Sequence, residues 1–150
     1  MVRVFTTRED LASAVGADLG ASDWVPITQE RVDEFARATG DHQWIHVDPV
    51  KAADGPFGTT IAHGFLTASL VPVLNKQIFI IESRMGINYG LNKVRFPAPV
   101  RVGSSVRATA VIKEVNDLGD AVQVIVETTV HVSDSSKPAA VAETVVRYHF

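Results

Sequence analysis

Residues His63 to Gln77 read HGFLTASLVPVLNKQ, a run that is nearly all apolar or small until its polar end. A surface helix would confine its apolar residues to one stripe, so this composition predicts a helix buried on most sides, with Pro72 placed to bend it. The run falls short of the roughly 20 apolar residues that cross a bilayer. Downstream the character changes. Ile78 to Ile81, Lys93 to Phe96, Val106 to Val115, Ala121 to Val132 and Ala139 to Phe150 are rich in β-formers, and turn residues separate them at Asn116 to Asp120 and Ser133 to Pro138. Val122, Val124, Val126, Thr128, Val130 and Val132 alternate with positions that include Gln123, Glu127 and His131, the period of a half-buried antiparallel strand. One buried helix followed by long antiparallel strands predicts an α+β domain whose sheet wraps the helix.

Upstream of that helix, Thr7 is placed to cap a short helix reaching about Val15, with Glu9 and Asp10 in its first turn and Gly16 as its exit. A short apolar stretch, Trp24 to Ile27, comes next. Thr28 is placed to cap a second helix carrying Val32, Phe35, Ala36 and Thr39 at helical spacing, which Gly40 ends. Asp48 and Pro49 read as the cap and first position of another short helix, closed by Gly55 and Pro56.

The composition bounds the function. At 150 residues, with 46% hydrophobic and 21% charged residues, the chain suits one domain with one core over residues 1–150. A net charge of -3 offers no basic stripe for a phosphate backbone, so no nucleic-acid partner is expected. The absence of cysteine removes disulfides, thiolate nucleophiles and thiolate zinc sites. With no apolar leader and no spanning segment, a cytoplasmic protein without a membrane partner is the expectation. Long apolar strands in a small sheet leave an edge open, which favours a homodimer.

The densest chemistry lies between Gly40 and Gly64, where Asp41, His42, His46, Asp48 and His63 share a stretch rich in Gly, Pro and Thr. Asp41 and His46 flank a short irregular segment that can turn both side chains toward one water. A carboxylate and an imidazole, with reference pKa values of about 3.9 and 6.5, form a pair able to exchange protons at neutral pH. Hydration of an enoyl thioester needs such a pair, together with a donor for the enolate oxygen. The unpaired amides at the start of the His63 helix can supply that donor, and Gly64 lets a carbonyl approach closely.

Each residue also has a plainer role open to it. Asp41 can form an Asx turn, Asp48 is better read as a cap, and His63 caps the helix or orients the loop. His42 reads as a surface group, and His131 and His149 as exposed or structural. Trp44 is either core or a wall against the acyl chain. Lys93 and Arg95 share one side of a strand and, with Lys51 and Arg101, offer cations for CoA phosphates, although scattered surface cations usually only solvate. The histidine spacing fits no zinc pattern, so no metal is expected.

The segments FARATGDHQWIHVDP, Phe35 to Pro49, and FGTTIAHG, Phe57 to Gly64, resemble the MaoC-like, R-specific enoyl-CoA hydratases, as does NYGLNKVRFPAPVRVG, Asn88 to Gly103. The resemblance covers most of the chain. It implies a hot-dog fold with the His63 to Gln77 helix inside an antiparallel sheet, and a homodimer joined edge to edge. It implies a trans-2-enoyl-CoA substrate, a (3R)-hydroxyacyl-CoA product and no cofactor. By position, Asp41 and His46 become the catalytic dyad and the Gly64 amide the oxyanion donor. One departure is that the family's N-P-[IL]-H reads Gln43-Trp44-Ile45-His46 here, which bears on the pocket beside the loop more than on the dyad. The single motif copy matches the compact members. Three further readings stay open: a dehydratase acting on carrier-protein thioesters, a hot-dog thioesterase, and a non-catalytic acyl-binding module.

Overall fold

The computed structural model describes all 150 residues. Helix α5, Gly64–Lys76, occupies the centre. The sheet that holds it is antiparallel throughout and comprises β2 (Asp18–Ala21), β3 (Val25–Pro26), β5 (Met85–Arg95), β6 (Ser105–Asp117), β7 (Val122–Val132) and β8 (Ala140–His149). Its strand order is β2-β6-β7-β8-β5, with β3 also on β6. A separate parallel pair joins β1, Arg3–Phe5, to β4, Phe79–Ile81. The short helices are α1 (Arg8–Ser13), α3 (Trp44–Val47) and α4 (Pro49–Ala53); α2 (Gln29–Thr39) is longer.

The alternation in β7 fixes which face of the sheet meets α5. Val122, Val124, Val126, Thr128, Val130 and Val132 are all buried, and Leu66, Val71 and Leu74 of α5 join the five valines in one cluster with Leu11 of α1 and Val32 of α2. Burial of each such aliphatic side chain contributes about 1.5–3 kcal/mol, so this shared layer is what holds α5 in the sheet. A polar pair sits within it: Asn75 Nδ2 donates to Thr128 Oγ1 at 2.9 Å, and the Thr128 hydroxyl lies 3.2 Å from Asn75 Oδ1.

The predicted helices form at the predicted caps. Thr7 accepts from the Asp10 amide, Thr28 from the Arg31 amide and Asp48 from the Lys51 amide, and Gly40 ends α2 at φ 82°, a conformation favouring glycine. Three features differ from expectation. The polar loop after Gly40 contains one helical turn, α3. Strand β5 begins at Met85, not Lys93; Gly86, Asn88, Gly90 and Asn92 weaken its strand signal, and register shifts beside Gly90 and Asn92 accommodate two of them. Finally, α5 is not buried on most sides: Phe65, Ser69, Pro72, Val73 and Lys76 form an exposed stripe at helical spacing. The sheet covers one face of the helix only.

Candidate active site

Three backbone segments meet in front of the start of α5. The left-handed turn at Gly40 redirects the chain, and Asp41 then makes an Asx turn, its Oδ1 accepting from the Gln43 amide at 3.3 Å. That contact leaves the second carboxylate oxygen free. His46 lies in the single turn of α3 and is only 6% exposed. Its Nδ1 stands 2.7 Å from the Ile61 carbonyl, and because a carbonyl only accepts, Nδ1 carries the proton and Nε2 presents a lone pair. The Ile61 amide donates in return to the Ile45 carbonyl at 3.0 Å, so the two segments grip each other.

His63 immediately precedes α5 but makes no capping bond with its side chain. Instead its Nε2–H donates to the Asp41 carbonyl at 3.0 Å, the loop-orienting role. Its ring stacks on that of His46 with centroids 3.8 Å apart, and Phe35 of α2 covers it at 4.9 Å. Its Nδ1 is buried without a hydrogen-bond partner. The arrangement gathers polar atoms of Asp41, His46 and His63 within 4.8 Å of one another, a gap that one water can bridge. Burial holds His46 below the ordinary imidazole range; the Ile61 carbonyl opposes this, His63 adds to it and Asp41 opposes it again. The ring is therefore neutral at pH 7 and competent to accept a proton.

Two imidazoles and a carboxylate are also donors that a transition metal takes. One ligand atom from each of Asp41, His46 and His63 lies within 4.8 Å of the others, a spacing that a bridging water also spans.

The Gly64 amide opens α5 and has no acceptor among the backbone or side-chain hydrogen bonds. A Cβ built on Gly64 would stand 3.0 Å from the Phe96 ring, so the missing side chain is what lets Phe96 lie over this backbone. Phe96 is 39% exposed and meets Phe65, 72% exposed, edge-on. A thioester carbonyl reaching the amide must displace a partly exposed aromatic edge, not packed core.

The remaining candidates fall elsewhere. Trp44 is half-buried, packs on Gly55 and lies under the Lys51 ammonium at 4.7 Å, so both residues stabilise the α4 turn. Lys93 pairs in register with Glu143 on the outer face of the sheet, and Arg95, two residues on, shares that face. Since α5 packs on the inner face, the structure does not bring Lys93 and Arg95 to Asp41 and His46. Arg101 is bound to the Phe57 carbonyl and to Asp134, Asp48 caps α4, His42 is exposed, and His131 and His149 contact Thr109 and the Asp120 carbonyl. Sequence reading missed Gln29, which links α2 to α3 and to Thr60; only proximity in space reveals it.

Comparison with known proteins decides the family: residues 10–134 match the family described as MaoC like domain. The chain belongs to the MaoC-like dehydratases. Membership sets the reaction class as hydro-lyase chemistry, the addition or removal of water. The family relative 3-hydroxyacyl-thioester dehydratase Z of Mycobacterium tuberculosis is 61% identical over 149 residues, covering 98% of this chain and 99% of that one. Nodulation protein N of Rhizobium leguminosarum bv. viciae is 44% identical, covering 94% of this chain and 90% of its own length. Among solved MaoC-like structures, the (R)-hydratase from A. caviae superposes with a TM-score of 0.72 at 26% identity, covering 88% of this chain and 94% of that one. The R-hydratase of Pseudomonas aeruginosa gives 0.70 at 21% identity over 90% and 81%, a likeness of fold. The hot-dog architecture expected from sequence is the fold of this MaoC-like chain.

Proposed function

We propose that the chain hydrates trans-2-enoyl-CoA to (3R)-hydroxyacyl-CoA, and reverses the reaction, with Asp41 and His46 as the catalytic pair. The observation that carries this reading is the neutral His46, whose Nε2 lone pair is left free by the Ile61 bond and whose ring nitrogen and the Asp41 carboxylate lie within 4.8 Å of one another. A water held between them loses its proton to His46 as its oxygen attacks Cβ of the enoyl thioester. Asp41 orients that water and stabilises the imidazolium that forms. Negative charge develops on the thioester oxygen, where the Gly64 amide and the positive end of α5 receive it. Delivery of the proton to Cα completes the addition, and His63 keeps the Asp41 backbone in register with the ring it stacks on.

A dimer through β5 fits this reading. β5 pairs only with β8, leaving its other edge open, and Met85, Ile87, Tyr89 and Leu91 are all exposed along it. The name of the mycobacterial relative favours an equivalent second reading in the dehydration direction, with the thioester carried by CoA or by a carrier protein.

Incubation with crotonyl-CoA separates the alternatives. Loss of the conjugated absorbance without free thiol is the expected result, and release of free CoA would signify a thioesterase. Coupling the product to dehydrogenases specific for R or S hydroxyacyl-CoA then reads the stereochemistry, where an S product would overturn the assignment. Comparing turnover on CoA and carrier-protein thioesters identifies the carrier.

A further inference from the structure

A general base works only if its ring is held still, and the loop that carries His46 is fixed from two directions by one side chain outside the dyad. Gln29 is the first residue of α2, where the Thr28 cap sets the helix start. Its Nε2 donates to the His46 carbonyl at 2.7 Å and to Asp33 Oδ1 at 2.9 Å, while its Oε1 accepts from the Thr60 hydroxyl at 2.5 Å. Both amide protons and the amide oxygen are therefore used, which fixes the amide's orientation. Thr60 is 1% exposed and directly precedes Ile61, whose carbonyl grips His46 Nδ1 at 2.7 Å.

We infer that Gln29, acting through Thr60, is a positioning residue that sets the orientation of the His46 imidazole. One amide refers two backbones to each other: the one from which the ring hangs, and the one that holds the ring's far nitrogen. Without it, α3 and the Thr60–Ile61 segment keep only the Ile61-to-Ile45 bond and the ring's own bond between them. A displacement of an ångström at a catalytic group can cost about 10² in rate, so a loosened ring is felt in turnover before it is felt in folding.

The inference rests on His46 being part of the dyad, and the test separates the two. Thr60→Val removes the hydroxyl at nearly constant shape, Thr60→Ser keeps it, and Gln29→Leu removes the whole amide. The expected result is kcat lowered about tenfold or more in Thr60→Val and Gln29→Leu, with KM near the unmutated value and Tm lowered only as far as one lost buried hydrogen bond requires, so that at a temperature where every variant is fully folded the loss of kcat remains. Thr60→Ser restores kcat to within about twofold, and the double variant is no worse than Gln29→Leu, because both cut the same connection. A purely structural contact would instead lower Tm in Thr60→Val and Gln29→Leu and leave the kcat of the folded protein unaltered, overturning the inference; impairment of Thr60→Ser equal to that of Thr60→Val would show that the hydroxyl is not what matters and would overturn it too. Should Gln29→Leu fail to fold, the two Thr60 variants decide alone. If His46→Ala is inactive while the Gln29 and Thr60 variants are unimpaired, only the positioning role falls; if His46→Ala keeps full turnover, the dyad falls with it.

Discussion

In the proposed mechanism proton transfer turns on His46, and the environment of that residue has consequences in pH. Burial depresses its pKa, so the folded protein prefers the neutral ring, whereas in the unfolded chain the imidazole titrates near about 6.5. Between the depressed value and about 6.5 the unfolded chain holds more protons, so stability rises with pH across that window and falls as acid is added. Thermal unfolding followed from neutral pH into mild acid is expected to fall less steeply for His46→Gln than for the unmutated chain; equal slopes would contradict the burial argument. The acid limb of kcat/KM is expected below about 6.5 for the same reason. At Gly64 the claim is steric. Gly64→Ala places a methyl 3.0 Å from the Phe96 ring and crowds the approach to the amide, so a loss of kcat of up to about 10² is expected with Tm little changed. The proximity of Asp41 and His46 was legible in sequence because the two sit in one loop. Gln29 and Thr60 were not, since nothing in a lone glutamine of a helix start announces the carbonyl it will meet.

At the scale of elements, legibility followed the strength of local signals. The strict alternation of β7 and the capping residues Thr7, Thr28 and Asp48 carried enough information to place their elements. β5 did not, because an edge strand with one paired side tolerates Gly and Asn, and its first half reads as turn. β1 and β2 are too short to show a period, and β1 exists only because β4 lies beside it. The exposed stripe of α5 escaped for another reason: composition says how apolar a helix is, not how many of its faces this sheet can cover. The buried Asn75–Thr128 pair tests the packing of that helix against β7. Thr128→Val leaves the Asn75 amide without its partner and is expected to cost about 1–3 kcal/mol in denaturant unfolding, whereas a cost near zero would show that the pair contributes little.

For the whole molecule, apolar surface remains uncovered on the open edge of β5 and on α5, where Phe65 and Val73 are exposed. An edge this long, carrying Met85, Ile87, Tyr89 and Leu91, invites a second copy. Light scattering is expected to give a dimer for the unmutated chain and a monomer for the double variant Ile87→Lys/Leu91→Lys. A variant that stays dimeric would place the interface elsewhere.

In the proposed mechanism one carboxylate and one imidazole on a loop turn over an enoyl thioester through a shared water. Its most direct measurement is the rate of crotonyl-CoA hydration by Asp41→Asn and by His46→Ala, each verified as folded by circular dichroism. Each substitution is predicted to lower kcat by at least about 10², the low end for losing a general acid or base. Turnover equal to that of the unmutated protein in either variant would contradict the account.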